Sequence, residues 1–344
     1  MIKSFFYTRK WALWAYGGLA FIIFLAYMGV QLLVELNYWY EGFYNLLQEA
    51  DKYYENSQEG IALFFSKFVS IKYLTEGFEG EPSFLVIAMP YVAIYIFTNW
   101  FGRMYCLRWR EAITFDYIPR WRNVTEEIEG ASQRIQEDTQ RFGRILEDIG
   151  TELIRGILTL ISFVPILWIL SEHVEIPFLK DIPGSLVWVA VIVGAGGIII
   201  SWFVGILLPG LEYNNQKAEA KFRKDLVYGE DDKENYANPI KLFELFTGVR
   251  LNFQRLYLHY GYFELWSISF RQALVVVPFL IMAPSLFTGT IMLGVVMRVN
   301  SAFSEVKESL NVFLLNWTRI TELRSVFKRL NEFERNLDDY EITR

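Results

Sequence analysis

The chain has 344 residues, of which 53% are hydrophobic and 17% aromatic, and its formal net charge is −6. This composition is too apolar for an ordinary soluble domain, and the acidic balance gives no basic surface of the kind that binds nucleic acid. The single cysteine, Cys106, excludes an intrachain disulfide and a Cys-x-x-Cys zinc site.

Uncharged, mostly apolar runs recur along the chain, and a membrane-spanning helix needs roughly 20 such residues. The runs are Trp11 to Val34, Pro82 to Gly102, Gly156 to Ser171, Leu186 to Leu208 and Gln272 to Met297. The third is short, but a helical pattern precedes it. The last can turn between Pro284 and Gly289, so we assign it to two helices. We predict an all-α membrane protein with six spans, at about 11–36, 82–104, 150–171, 185–209, 263–284 and 287–315.

The distribution of Lys and Arg predicts how these helices are oriented. These residues number eight in 103–151 and eight in 209–263, against three in 35–83 and one in 172–184. The positive-inside rule therefore assigns both termini to the cytoplasm, which requires an even number of spans. We expect one membrane domain over residues 1–344, with a cytoplasmic helix or tail from residue 316.

The segment 103–155 has helical periodicity, so long helices should extend into the cytoplasm from the second and third spans. Within it, Arg134 with Asp138 and Glu137 with Arg141 are i, i+4 pairs of opposite charge, each worth about 0.2–0.5 kcal/mol on an exposed helix. Six spans with such extensions resemble the membrane domain of an ABC exporter. Charged helix faces need a partner to enclose a cavity, so we expect a homodimer of the domain-swapped type.

The sequence contains no phosphate-binding loop of the form G-x-x-x-x-G-K-[ST]. Gly194 to Gly197 is better interpreted as a site of close helix packing. Some 28 residues follow the last span, too few for a nucleotide-binding domain. We therefore expect no ATP hydrolysis, no bound nucleotide and no enzymatic activity. Neither histidine has a partner at metal-ligand spacing, so we expect no metal and no cofactor other than protons.

A transporter without its own ATPase can use an ion gradient, which requires ionisable groups in a shielded cavity. Burial favours the neutral form of a carboxyl group, whereas a nearby arginine favours the ionised form. Arg271 and Arg298 interrupt the last two spans and should face the cavity, with Glu305, Lys307 and Glu308 further along. The remaining candidates lie near span ends: Glu35, Glu147, Glu152, Arg155, Glu212 and Glu219.

Several stretches carry a resemblance to a known family. They are Glu129 to Phe142 (EGASQRIQEDTQRF), Leu208 to Glu212 (LPGLE), Leu226 to Asp232 (LVYGEDD) and Arg255 to Phe263 (RLYLHYGYF). From about Trp11 to Glu334 the chain resembles the SbmA/BacA family of bacterial inner-membrane peptide transporters. Within the first stretch, the run from Gln133 to Asp138 is also similar to one in the membrane halves of peroxisomal fatty-acyl ABC transporters. The better-known members carry an additional N-terminal span, which we expect to be missing here.

The resemblance implies a peptide importer of the inner membrane, driven by the proton gradient and working as a homodimer among membrane lipids. The glutamates it implies for the cavity are Glu35, Glu147, Glu212, Glu219 and Glu230, with Glu147 as the first choice. Arg134, Arg155, Arg271 and Arg298 are candidate ion-pair partners, and the family motif comprises Glu129, Gln133, Arg134, Glu137 and Asp138.

Two alternatives stay open. The chain could be the membrane subunit of an ABC-type transporter that recruits a separate ATPase. It could instead maintain the envelope or its lipids, such as very-long-chain fatty acids.

Overall fold

The computed structural model describes residues 1–78, 80–124, 128, 130–174 and 182–342. Within these ranges the chain is helical and contains no strand, as the sequence predicts. The α-helices are α1 Ile2–Phe6, α2 Leu19–Gln48, α3 Ser57–Val69, α4 Lys72–Thr75, α5 Phe84–Asn123, α6 Ala131–Gln133, α7 Thr139–Leu170, α8 Ser185–Gly205, α9 Leu208–Asp231, α10 Lys233–Tyr236, α11 Pro239–Phe287, α12 Leu293–Leu315 and α13 Trp317–Ile342. Short 3₁₀ segments occupy Ala50–Tyr53 and Ser171–His173.

In the described part of the chain, two π-helical segments interrupt the α-helical geometry. One, Leu13–Gly18, leads directly into α2, and the other, Arg134–Asp138, leads into α7. Such segments are rare and are frequent at functional sites. The second coincides with the stretch that carries the family resemblance.

Among the residues that the structure describes, five continuous helical segments are long and apolar enough to cross a membrane. They contain α2, α5, α7, α8 with α9, and α11. The helix α12 carries Arg298, Glu305, Lys307 and Glu308, which lower its mean hydropathy. The chain is therefore a multi-pass membrane protein, and the sixth span stays a prediction.

The predicted break between the last two helices is present. The helix α11 ends at Phe287 and α12 begins at Leu293. Between them, Gly289 has φ +75°, in the left-handed region that glycine adopts without a steric penalty. Gly289, five residues after Pro284, thus supplies the backbone conformation that the turn requires.

The described chain divides into two compact units, one of residues 1–190 with 281–344 and the other of residues 191–280. In the second unit, Trp266 Nε1 donates to Ser201 Oγ at 3.0 Å. A Cβ on Gly197 would lie 2.0 Å from the ring of Phe270. This close approach supports the interpretation of Gly197 as a packing site, whereas a Cβ on Gly196 would meet nothing within 4 Å. That both units form one domain stays a prediction.

In the first unit, α2, α5, α7 and α12 pack against one another. Where α2 nears α3, Trp39 stacks on Phe43 with ring centroids 4.8 Å apart, and its Nε1 donates to the Lys67 carbonyl at 2.9 Å. At the opposite end, α13 folds back along α5 and α7 over a buried apolar cluster. That cluster contains Met1, Ile113, Tyr117, Phe142, Ile145, Ile149, Val326, Leu330, Phe333 and Leu337.

The start of α12 approaches α2 so closely that only glycine fits at position 294. A Cβ there would lie 2.2 Å from the Glu41 carbonyl oxygen and 2.4 Å from Asn45 Oδ1. We expect Gly294→Ala to destabilise the protein by about 1–3 kcal/mol, because the two helices must move apart. The melting temperature in detergent measures this effect. Gly150→Ala on α7 is the control, since its Cβ would meet nothing within 4 Å. A melting temperature for Gly294→Ala at or above that of the unsubstituted protein would contradict the expected clash.

Candidate functional site

A charged cavity of about 270 Å³ lies between α2, α5, α7 and α12. We call it the polar cavity. Arg155 and Glu152 reach it from α7, and Glu305 and Glu308 reach it from α12. Its other lining residues are Leu33, Tyr91, Tyr95, Gly156, Thr159, Ser309 and Val312. Charged side chains are costly in a membrane helix unless they face such an interior, so this cavity is the first candidate for function.

Arg155 is held by an aromatic ring. Its guanidinium carbon lies 4.3 Å from the centroid of the Tyr95 ring, within the range of a cation–π interaction. Among the residues that the structure describes, Arg155 makes no ion pair within 4.0 Å. Its positive charge therefore acts on the carboxylates of the cavity without being fixed to one of them.

Tyr95 and Arg155 also indicate how deep the cavity lies. Tyr95 is seven residues from Gly102, where the apolar run of α5 ends, which corresponds to about 10 Å along a helix. Arg155 immediately precedes Gly156, where the apolar run of α7 begins. The cavity therefore reaches from the boundary of the apolar layer into it.

The carboxylates of the polar cavity differ in their surroundings. Glu305 is partly buried, and its backbone carbonyl accepts from Ser309 Oγ at 2.8 Å. Glu308 is exposed. Glu152 Oε2 accepts from Asn316 Nδ2 at 3.4 Å, near the junction of α12 and α13. Glu305 is thus the most enclosed of the three carboxyl groups.

A second cavity of about 170 Å³ continues from the first, because both are lined by Tyr95, Glu152 and Arg155. It also contains Glu147, whose Oε1 lies 3.4 Å from Arg103 Nε. Both side chains of this pair are well exposed, so the pair adds little to stability. The other lining residues are Asn99, Asp148 and Thr151. The two cavities form a continuous polar surface along α7.

Of the predicted cavity glutamates, only Glu147 lies in these two cavities. Glu35 lines a separate cavity of about 440 Å³ together with Glu41 and Glu81. Glu212, Glu219 and Glu230 belong to the second unit, on α9, where Glu219 lines a groove with Arg223 and Lys224. The structure therefore brings Glu147 together with Glu152 and Arg155, and it puts Glu35 elsewhere in the same unit.

Of the arginines predicted to face the cavity, neither Arg271 nor Arg298 lines the polar cavity. Arg271 is exposed in the second unit. Arg298 Nη1 lies 2.6 Å from Glu41 Oε2, and neither residue lines the polar cavity. The sequence analysis named Glu305 and Glu308 as charges on the last span but did not include them among the cavity glutamates. The sequence did not predict the polar cavity itself, because four helices that are distant in the sequence form it.

The family motif forms a compact ionic group, apart from Glu129, which lies outside the described residues. Both predicted i, i+4 pairs are confirmed: Arg134 Nη1 lies 2.6 Å from Asp138 Oδ2, and Arg141 Nη2 lies 3.1 Å from Glu137 Oε1. Gln133 Nε2 donates to Glu137 Oε2 at 3.2 Å.

Asp138 has a further partner that the sequence did not indicate. Arg329 on α13 donates to both of its oxygens, from Nη2 at 2.8 Å and from Nε at 3.1 Å. The hydrogen bond to Asp138 raises the pKa of Arg329 above its ordinary value. The motif thus fastens α13 to the base of α7, away from the cavity.

These observations define a helical membrane protein with a charged internal cavity. Residues 8–338 match the SbmA/BacA-like family, and the chain belongs to that family. It is 26% identical to the inner membrane ABC transporter ATP-binding protein YddA of Escherichia coli K12, over 92% of this chain and 56% of that protein. It is also 26% identical to the chloroplastic ABC transporter D family member 2 of Arabidopsis thaliana, over 68% of this chain and 33% of that protein.

An uncharacterized ABC transporter ATP-binding protein of Synechocystis is 24% identical over 74% of this chain and 39% of its own length. The chain therefore spans about half of the first of these relatives and less of the other two. The family and these names identify the chain as a membrane transporter.

Proposed function

We propose that the protein is a secondary transporter that imports peptides across the bacterial inner membrane, driven by the proton gradient and working as a homodimer. The observation that carries this proposal is the group of carboxylates around Arg155 in a cavity that reaches from the boundary of the apolar layer into it. Three carboxyl groups face one guanidinium there, so the cavity favours positive charge and can accept protons.

The path of a proton follows the polar surface along α7. Glu305 and Glu308 receive it at one end, and Glu147 and Asp148 release it at the other. Arg155 lies between them and favours the ionised form of whichever carboxylate it approaches. A change in the packing of α7 against α12 moves Arg155 relative to Glu305 and so couples protonation to the shape of the cavity.

The size of the cavity supports a dimer. Pockets for small ligands measure about 300–1,000 Å³, so the 270 Å³ within one chain is small for a peptide. A second copy would enlarge it. The tyrosines and carboxylates of the lining would bind cationic and apolar side chains without strict selection, which fits peptides of broad sequence.

The test is uptake by the purified chain in liposomes. We expect a labelled cationic peptide to accumulate when the outer buffer is made acidic, and a protonophore to abolish this accumulation. ATP added inside and outside the liposomes should leave the accumulation of peptide unchanged. Failure of the pH gradient to drive uptake would contradict the proposal.

A second candidate function is transport driven by a separate ATPase. It is favoured by the names of the relatives, which are ABC transporter ATP-binding proteins longer than the segment that this chain matches. Uptake that requires ATP together with an added ATPase, and that ignores the protonophore, would support this alternative.

A further inference from the structure

A row of polar side chains on α2 holds the beginning of α12. Asn37, Glu41, Asn45 and Gln48 follow one another at spacings of four, four and three residues, so they share one face of α2. Gln48 Oε1 accepts from the backbone N–H of Leu293 at 2.6 Å, and Asn45 Oδ1 accepts from that of Gly294 at 2.9 Å. These bonds satisfy donors in the first turn of α12, which have no partner within their own helix.

The same face of α2 binds Arg298 one turn further along α12. Its Nη1 donates to Glu41 Oε2 at 2.6 Å, and its Nε donates to Asn37 Oδ1 at 3.2 Å. Asn37 is fully buried, and its Nδ2 donates a hydrogen bond of 2.8 Å to the carbonyl oxygen of Arg298. Tyr38 lies beneath the guanidinium, with its ring centroid 3.9 Å from the guanidinium carbon.

We call this group of contacts the α2–α12 clasp. It lies directly beside the polar cavity on both helices. Leu33, which lines the cavity, is one turn before Asn37 on α2. Glu305 is seven residues after Arg298 on α12, which is about 10 Å along the same face of that helix. The clasp therefore lies one to two helical turns from the polar cavity along α2 and α12, and it fixes the rotation of α12 that directs Glu305 into that cavity.

The outer end of the clasp consists of neutral hydrogen bonds from Gln48 and Asn45 to backbone N–H groups. Water can replace a neutral hydrogen bond at a small net cost, so the clasp can begin to separate when water enters from this end of the helices. Its outermost member, Gln48, is already exposed. On the predicted topology this end faces away from the cytoplasm.

We propose that the α2–α12 clasp opens and closes in each transport cycle, and that Arg298 is the positioning residue that aligns Glu305 when the clasp is closed. This inference rests on the proposed function, because it assigns the clasp to the entrance of the proposed cavity. When the clasp is closed, substrate has no access to the cavity from this end. When it opens, α12 is free to rotate and Glu305 leaves its position.

A reversible cross-link across the clasp tests the proposal. Gln48→Cys with Leu293→Cys joins the two helices, in a Cys106→Ser background that removes the native cysteine. We expect oxidation to lower gradient-driven uptake at least tenfold and a reductant to restore it. Unchanged uptake by fully cross-linked protein would overturn the proposal.

The matched control joins α1 to α5 at Ser4→Cys with Asp116→Cys, in the same background. In the unsubstituted protein Ser4 Oγ donates to Asp116 Oδ2 at 2.8 Å, far along the chain from the cavity. Oxidation of this pair should leave uptake unchanged. Should the unsubstituted protein also fail to transport, the proposed function itself is in error.

A measurement without transport then still tests the clasp. Nitroxide labels at positions 48 and 293 report the distance between the helix ends in the purified protein. We expect a second, longer distance to appear on acidification or on addition of a cationic peptide. A single short distance under all conditions would overturn the proposal whatever the cargo is.

Discussion

Glu305→Gln should abolish gradient-driven accumulation of peptide while leaving exchange of labelled for unlabelled peptide across the membrane intact. Glu305 is the most enclosed carboxyl group of the polar cavity, where it faces Arg155 and lies close to Glu308 along α12. A glutamine has the shape of the protonated acid but binds and releases no proton. The variant can therefore still carry peptide down its own gradient, but protons no longer drive the cycle.

We expect the initial rate of driven uptake to fall by about tenfold or more, equivalent to at least ~1.4 kcal/mol. Glu332→Gln on α13 is the matched control, because that carboxylate is largely exposed and lies outside both cavities. It should transport at the normal rate. Retention of full driven uptake by Glu305→Gln, with exchange also intact, would exclude Glu305 from proton coupling.

The helices could be predicted because hydropathy is a local property. The apolar runs lie in long helices in the structure, and the break lies near Gly289, five residues after Pro284. The i, i+4 pairs of Arg134 and Glu137 could be predicted for the same reason, since both partners lie on one helix. Local patterns are thus sufficient for the elements and for contacts within them.

Contacts between distant parts of the chain could not be predicted in this way. Arg298 could be recognised as a costly charge in a membrane helix, but nothing in its neighbourhood identifies Glu41, 257 residues earlier, as its partner. The arrangement of Arg155 beside Tyr95 likewise depends on how α7 packs against α5. The family resemblance led to Glu147 rather than Glu305, and no local pattern indicates that packing of α12 against α7 and α2 encloses Glu305.

The docking of α13 on α7 leads to the second large effect, which concerns stability. We expect Asp138→Asn to lower the free energy of unfolding by about 3 kcal/mol, the lower end of the range for breaking a buried ion pair. Asp138 is 2% exposed and binds two guanidinium groups, so an amide at this position leaves Arg134 and Arg329 without the carboxylate that both of them bind. The lower end applies because both arginine side chains are 29% exposed.

Thermal unfolding in detergent and limited proteolysis measure this change. Each kcal/mol of lost stability lowers the melting temperature by about 2–4 °C, so the melting temperature should fall by about 6 °C or more. Cleavage should begin within α13, because Asp138 is one of the ionic contacts that fasten this helix, together with the pair of Arg319 and Asp148. Glu137→Gln removes an exposed pair one residue away and should change stability by less than about 0.5 kcal/mol.

If both variants melt alike, the contact between α7 and α13 is a surface pair, and the buried apolar cluster alone holds the helix. If only Asp138→Asn releases α13, the motif residues that mark this family act by fastening the last helix beneath the cavity.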